Sequence, residues 1–193
     1  MEEYRNNYPH SKPTGGTANL SFYQNAIVSR PRGVTITTMH QEWAANYDLL
    51  ESHHAYIQWL FPLRERSRFN SDAQVLQLHE MHAIQQTPQL QQRFFQSLVM
   101  MCNFWGCQLQ SADPTPANNN STPPATVHVV RCLEWKDRLM NTRNHSHNNM
   151  RITRMSIFPL LLSIGSANKC VSGTLLKCTH LFVFYFFSST LFF

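Results

Sequence analysis

Few of the patterns that mark enzymes and cofactor-binding proteins occur in this sequence. It has six glycines among 193 residues, and they form no Gly-x-Gly-x-x-Gly run, Walker-type phosphate loop or Gly-x-Ser-x-Gly elbow. The 11 acidic residues include no pair whose surroundings would suit general acid–base catalysis. These absences predict a non-enzymatic protein without a cofactor.

Cysteine usage and the first residues of the chain argue against secretion. The five cysteines are odd in number and include no Cys-x-x-Cys pair, which predicts free thiols in a reducing compartment. Residues 1–4 are acidic and polar. Because they are not followed by an apolar stretch, we expect no secretory signal.

The positive charge is spread along the chain. Sixteen Lys and Arg against 11 Asp and Glu give a net charge of +5. The densest basic stretch, residues 131–154, is diluted by Glu134 and Asp137, whereas a nucleic-acid-binding surface usually shows a compact basic stripe. The charge pattern therefore predicts a solvated face and no specific nucleic-acid partner, and the oligomeric state does not follow from it.

Apolar and aromatic residues are plentiful, at 42% and 12% of the chain, and recur at helical spacing. The longest apolar stripe is Leu90, Phe94, Leu98, Met101 and Trp105. We predict an all-α fold, a single helical domain of four or five helices around an aromatic core of Trp43, Trp59, Phe94 and Trp105. The predicted domains are a flexible N-terminal segment over 1–18, a helical region over 19–155 with a linker at 110–126, and an atypical apolar tail over 156–193.

Capping patterns predict where the helices begin. Residues 38–41 and 71–74 both match the capping box, in which a hydroxyl and a glutamine side chain satisfy free backbone N–H groups. Thr87 followed by Pro88 is typical of an N-cap and a first helical residue. A further helix is predicted over 127–141.

The histidines raise the question of a metal site. His79, Glu80 and His82 resemble the zinc motif H-E-x-x-H, but the two histidines are three residues apart instead of four. We therefore predict helix-face histidines and no metal, and keep a metal-dependent enzyme that uses these three residues as an alternative. His53 and His54 end the first predicted helix, where an imidazole suits the negative end of the helix dipole.

Four separated blocks of sequence, in order, resemble the conserved region of the opioid growth factor receptor family. The most characteristic block is 54–65, which contains the run Tyr-Ile-Gln-Trp-Leu-Phe-Pro over 56–62. The other blocks lie at 19–25, 40–47 and 135–154. From this resemblance we take as the signature of the fold Trp43, Tyr47, Ile57, Gln58, Leu60, Pro62, Trp135 and Arg151.

The resemblance implies an intracellular, non-enzymatic receptor for an enkephalin-type peptide, located in the cytoplasm and in or around the nucleus and linked to growth regulation. Aromatic rings at helical spacing are usually core residues, but packed helices can leave a groove for a short aromatic peptide. We interpret Tyr56, Trp59 and Phe61 first as core residues and second as peptide-binding candidates. The alternative is a helical protein–protein interaction scaffold that binds no opioid peptide.

The tail over 156–193 differs in composition from the rest. Its only charged residues are Lys169 and Lys177, and it contains two apolar runs. We expect the family pattern to stop at Met155 and interpret the tail as a read-through product or an alternative last exon. An uncharged stretch over 178–193 would cover roughly 24 Å of the ~30 Å bilayer core as a helix, so we expect association with a membrane interface at most.

Overall fold

The computed structural model describes residues 14–111 and 127–163. The chain divides between Phe94 and Phe95 into two compact units, the N-terminal unit (Met1–Phe94) and the C-terminal unit (Phe95–Phe193). The described residues are mostly helical, as predicted, but they also contain a two-stranded sheet. The prediction of a mostly helical chain is therefore confirmed, but the described residues contain eight α-helices instead of the four or five predicted, and the sheet was not predicted.

Short helices build the N-terminal unit. They are α1 (Ala18–Tyr23), α2 (Ile36–Thr38), which continues as a π-helical turn (Met39–Trp43), α3 (Tyr47–Ser52), α4 (Ile57–Leu60) and α5 (Leu78–Gln86). Helix α6 (Pro88–Phe104) follows, and the division between the units falls within it. Its start at Pro88 confirms the predicted cap at Thr87.

Both predicted capping boxes are wrong, because a nearby residue performs the capping. Helix α2, which corresponds to the first predicted helix, begins earlier than predicted. Its cap is the Thr35 hydroxyl, which accepts the backbone N–H of Thr38 at 3.4 Å. Helix α5 begins later than predicted, since the Glu80 carboxylate accepts the backbone N–H of Gln77 at 2.8 Å. A capping motif in sequence specifies only a local option, and tertiary packing selects which option is used.

Glu80 also fixes the first turn of α1. Its carboxylate is fully buried and accepts hydrogen bonds from the Asn19 side chain at 3.0 Å and the Leu20 backbone at 3.1 Å. The Gln74 side chain donates to both carboxylate oxygens at 3.1 Å. A buried carboxylate with several donors is satisfied without water, so Glu80 joins the start of α1 to the start of α5.

Aromatic side chains fill the interior of the N-terminal unit. Trp43, Trp59 and Phe94, which we predicted as core, are 6%, 1% and 1% exposed. Six aromatic residues of this unit are below 2% exposed: Phe22, Tyr23, Tyr56, Trp59, Phe61 and Phe94. Burial of each such side chain contributes roughly 1.5–3 kcal/mol to folding.

The C-terminal unit contains the sheet and two further helices. Strands β1 (Cys107–Ser111) and β2 (Val127–Arg131) pair antiparallel, with Cys107 opposite Arg131. Helices α7 (Trp135–Asn144) and α8 (His147–Ser163) follow. Among the residues of this unit that the structure describes, the buried aromatic ones are Phe104, Trp105 and Phe158.

The helix predicted over 127–141 is wrong in its first part. Residues 127–131 form β2, because three valines placed around one histidine suit a pleated strand better than a helix. Helix α8 continues through Ser156, where we predicted that the atypical apolar tail begins. The predicted linker over 110–126 begins too early, because Gln110 and Ser111 belong to β1. The rest of that linker, residues 1–13 of the predicted N-terminal segment and residues 164–193 of the predicted tail lie outside the described residues.

A glycine brings the sheet and α7 together. Gly106 has φ +85°, and a Cβ atom there would come within 2.9 Å of the Trp135 Cα and 3.0 Å of the Arg138 Cβ. The Gly106 carbonyl accepts the backbone N–H of Cys132 at 3.0 Å. Because any side chain would collide and the backbone is left-handed, only glycine fits this position without strain.

Within 14–111 and 127–163, no helix combines the length and the apolar character that crossing a membrane requires.

Candidate functional site

The aromatic run that we singled out in the sequence lies in the interior. Tyr56 and Phe61 are fully buried and Trp59 is 1% exposed. Their neighbours in the run, Ile57, Gln58, Leu60 and Pro62, are buried as well. These rings occupy the core role that we placed first, and their direct contact with a peptide stays a prediction.

The buried Trp59 side chain is hydrogen-bonded to a surface turn that contains Arg30. Its indole N–H donates to the carbonyl oxygen of Arg30 at 2.9 Å, and its ring lies 5.5 Å from that of Phe22. The buried Asn70 side chain donates to the same Arg30 oxygen at 2.7 Å and to the Ala55 oxygen at 2.9 Å. Asn70 therefore joins three segments that are distant in sequence.

A cleft of about 430 Å³ opens above these hydrogen bonds. Its volume falls within the roughly 300–1,000 Å³ that is usual for ligand sites. Three segments of the N-terminal unit form it, and the lining residues are Pro31, Arg32, Ser52, His53, His54, Ala55, Phe69, Asn70, Ser71 and Asp72.

The His53 side of the cleft is supported by buried rings. The His53 ring lies 5.1 Å from the Trp43 ring and 6.1 Å from the Tyr56 ring. The Tyr56 hydroxyl donates to the Leu50 carbonyl at 3.1 Å, which ties this cluster to α3. His53 itself is the C-cap of α3, in agreement with its predicted place at a helix end.

Phe69 presents an aromatic ring at the cleft. It is 66% exposed, yet its loop is ordered by hydrogen bonds. The Ser67 hydroxyl accepts the backbone N–H groups of Phe69 at 3.2 Å and Asn70 at 3.3 Å, and the Asn70 side chain accepts that of Asp72 at 3.0 Å. An exposed aromatic residue on an ordered loop is a typical element of a recognition surface.

Two opposite charges complete the lining. Arg32 and Asp72 are both exposed. Arg32 has φ +50°, a backbone conformation that is uncommon for a residue with a side chain. A residue held in a strained conformation at a cleft is a candidate for a functional role.

The residues of the metal alternative do not converge. The Glu80 carboxylate points into the interior, where it accepts the hydrogen bonds described above, whereas His79 and His82 are exposed. In the part of the chain that the structure describes, no group of three or more His, Cys, Asp or Glu could hold a metal ion.

The remaining signature residues support the two units locally. Tyr47 begins α3, whose N-cap Asn46 accepts the Leu49 backbone N–H at 3.0 Å. In the C-terminal unit, the Arg131 guanidinium lies 4.0 Å from the centre of the Trp135 ring, a distance typical of a cation–π contact. The nearly buried Arg151 donates to the Asn148 side chain at 3.2 Å.

Sequence reasoning missed the charged and aromatic residues of the cleft. Arg32 and Phe69 lie outside the predicted helices and apolar stripes, and Asp72 was considered only as part of the predicted capping box at 71–74. One available signal was Phe69 itself, a single aromatic residue in a polar loop, because such a residue has no helix face to pack with.

Comparisons of the sequence with protein families and with individual proteins point to the same family. The family described as "Opioid growth factor receptor (OGFr) conserved region" matches residues 12–166, a range that begins before residue 19 and ends beyond Met155. The chain is 39% identical over 158 residues to the opioid growth factor receptor of Mus musculus, covering 80% of this chain and 23% of that protein. It is 39% identical over 158 residues to that of Homo sapiens, covering 80% and 21%.

A second group of relatives carries a related name. Opioid growth factor receptor-like protein 1 of Rattus norvegicus is 34% identical over 158 residues, covering 80% of this chain and 31% of that protein. The chain therefore spans between a fifth and a third of the length of these relatives. No solved structure matches the chain.

Proposed function

Because the chain belongs to the opioid growth factor receptor family, we propose that it is a non-enzymatic, receptor-type domain that binds an enkephalin-like peptide. Binding takes place in the cleft of the N-terminal unit and contributes to growth regulation. The relatives are named receptors, which supports a binding role in general. The aromatic and charged lining of the cleft supports a short peptide as the ligand.

The observation that carries this proposal is the chemistry of the cleft. A volume of about 430 Å³ admits part of a short peptide. The exposed Phe69 ring offers a surface for an aromatic side chain, and such ring pairs contribute about 0.5–1.5 kcal/mol beyond the area that they bury. Arg32 and Asp72 provide one charge of each sign for the charged ends of a short peptide.

The buried aromatic run supports the walls of the proposed site. Trp59 holds the Arg30 carbonyl and Tyr56 lies against His53. Both therefore fix a wall of the cleft before a ligand arrives, which lowers the entropy lost on binding. Phe61 packs against Phe94 at 6.1 Å and stabilises the core of the same unit.

A specific observation favours a second function, a protein–protein interaction scaffold without opioid-peptide binding. In the C-terminal unit, Leu133 is 98% exposed, and Met140 and Met150 are 52% and 50% exposed. Exposed apolar side chains of this size suit a contact with another protein when they form one contiguous patch.

The proposal is tested by calorimetric titration of the full chain with an enkephalin-type pentapeptide. Phe69→Ser should weaken saturable binding about tenfold, while Leu78→Ser should leave it unchanged. Leu78 is the matched control, since it is an exposed apolar residue, 37% exposed, that does not line the cleft. Equal binding by both variants would place the peptide elsewhere, and a folded chain that binds no peptide would favour the scaffold.

The cellular part of the proposal is a cytoplasmic and nuclear or perinuclear location. It is tested by imaging the full chain as a fluorescent fusion. Membrane association through the tail is the competing outcome, and it would be recognised by pelleting that resists carbonate.

A further inference from the structure

We propose that Arg32 binds the terminal carboxylate of the peptide, so that the cleft selects peptides with a free C-terminus over amidated ones. This inference rests on the proposed function, and it names the chemical feature of the ligand that the site recognises. Its ligand class is a short peptide acid with an aromatic side chain.

The turn that carries Arg32 is fixed on both sides. Before it, the Arg30 carbonyl accepts two hydrogen bonds, from Trp59 and Asn70. After it, the Gly33 backbone N–H donates to the Ser29 carbonyl at 3.1 Å. The exposed Arg32 side chain therefore extends from an immobilised backbone, and a fixed backbone reduces the freedom that ligand binding must remove.

The turn has no room for a side chain at Gly33. A Cβ atom on Gly33 would collide with the Ser29 side chain and come within 2.7 Å of its carbonyl oxygen. The closed turn places a residue with a long cationic side chain, at φ +50°, beside the cleft. Neither the core nor the turn hydrogen bonds require an arginine side chain at this position.

The charges of the cleft give the bound peptide a direction. Arg32 is the one Lys or Arg among the described residues that line the cleft. A guanidinium pairs with a carboxylate through two parallel N–H···O bonds, which an uncharged amide cannot reproduce. Asp72, which lines the same cleft, repels a carboxylate and attracts an amino terminus. The aromatic side chain then lies against Phe69.

The experiment compares two probes on the full chain, an enkephalin-type pentapeptide acid and the same peptide with a C-terminal amide. Calorimetry should show the acid binding about tenfold more tightly, the size expected of one charge-assisted contact at a partly exposed site. In Arg32→Gln the two probes should bind alike, at the affinity of the amide, whereas Arg32→Lys should keep part of the preference. Arg66→Gln is the control, because it removes the same charge from an exposed residue outside the cleft.

Each outcome decides the inference. Equal binding of acid and amide by the unmodified chain overturns the role of Arg32 and leaves peptide binding intact. An acid preference that survives in Arg32→Gln, or that Arg66→Gln also removes, overturns it too. If the unmodified chain binds neither probe, both this inference and the proposed function fail.

Discussion

Replacement of Trp59 by alanine tests the central structural argument, because this residue links the core to the cleft. Trp59 is 1% exposed, packs against Phe22 and donates to the Arg30 carbonyl at 2.9 Å. Loss of a buried tryptophan side chain costs about 3–5 kcal/mol, which combines lost transfer energy with the cavity that remains. We therefore expect Trp59→Ala to lower the free energy of unfolding by that amount.

Trp59→Phe separates the hydrogen bond from the packing. Phenylalanine keeps an aromatic ring near Phe22 but has no N–H for the Arg30 carbonyl, which retains Asn70 as a donor. The lost hydrogen bond costs about 1 kcal/mol, and the smaller ring leaves a cavity that costs about 1 kcal/mol more. The expected loss of stability for Trp59→Phe is therefore about 2 kcal/mol.

The assay is urea unfolding of the full chain, followed by circular dichroism. Phe69→Ala is the matched control, because this aromatic residue is 66% exposed and its loss should change stability by no more than about 0.5 kcal/mol. A loss below about 1 kcal/mol for Trp59→Ala would refute the core role of Trp59. The aromatic run would then become a candidate for direct ligand contact.

Three further changes test other parts of the structure. Glu80→Gln should cost about 2–3 kcal/mol in urea unfolding, because an amide cannot accept all the hydrogen bonds that the buried carboxylate accepts; a stable variant would contradict the buried link. Gly106→Ala should cost about 1–3 kcal/mol by the same assay, since φ is +85° and a Cβ would approach the Trp135 backbone; an unchanged midpoint would contradict this packing. Burial raises the pKa of Tyr23 well above 10, so above pH ~10 the unfolded chain releases a proton that the folded chain retains. The free energy of unfolding should then fall by about 1.4 kcal/mol per pH unit. Tyr23→Phe should remove this slope, and equal slopes for both chains would contradict it.

The sequence determined most of the helical core. The apolar stripe that runs along α6 and ends at Trp105, the residue after the helix, is buried at all five predicted positions, from 0% to 4% exposed. Helical periodicity places those side chains on one face. Pro88 begins the helix as expected, since proline needs no hydrogen-bond partner for its nitrogen there. The run over 56–62 is buried throughout, including the polar Gln58, in agreement with the core role that we placed first for its aromatic residues.

Tertiary structure decided where local signals were ambiguous. The valines of segment 127–131 suit a strand, but a strand also needs a partner, and the segment's own sequence does not show that β1 pairs with it. Helix α5 begins at Leu78 because the Glu80 carboxylate caps it and also binds the first turn of α1. The capping pattern at 71–74 could not reveal that competition.

The family, the helical character and the aromatic core could all be read from the sequence, because they depend on residue types at short, regular spacing. The cleft was decided by tertiary structure alone. Arg32, His53 and Phe69 come from three segments that meet only through contacts such as the Asn70 hydrogen bonds to Arg30 and Ala55. A site made of side chains that are far apart in the chain has no sequence period, so it becomes visible only once the chain has folded.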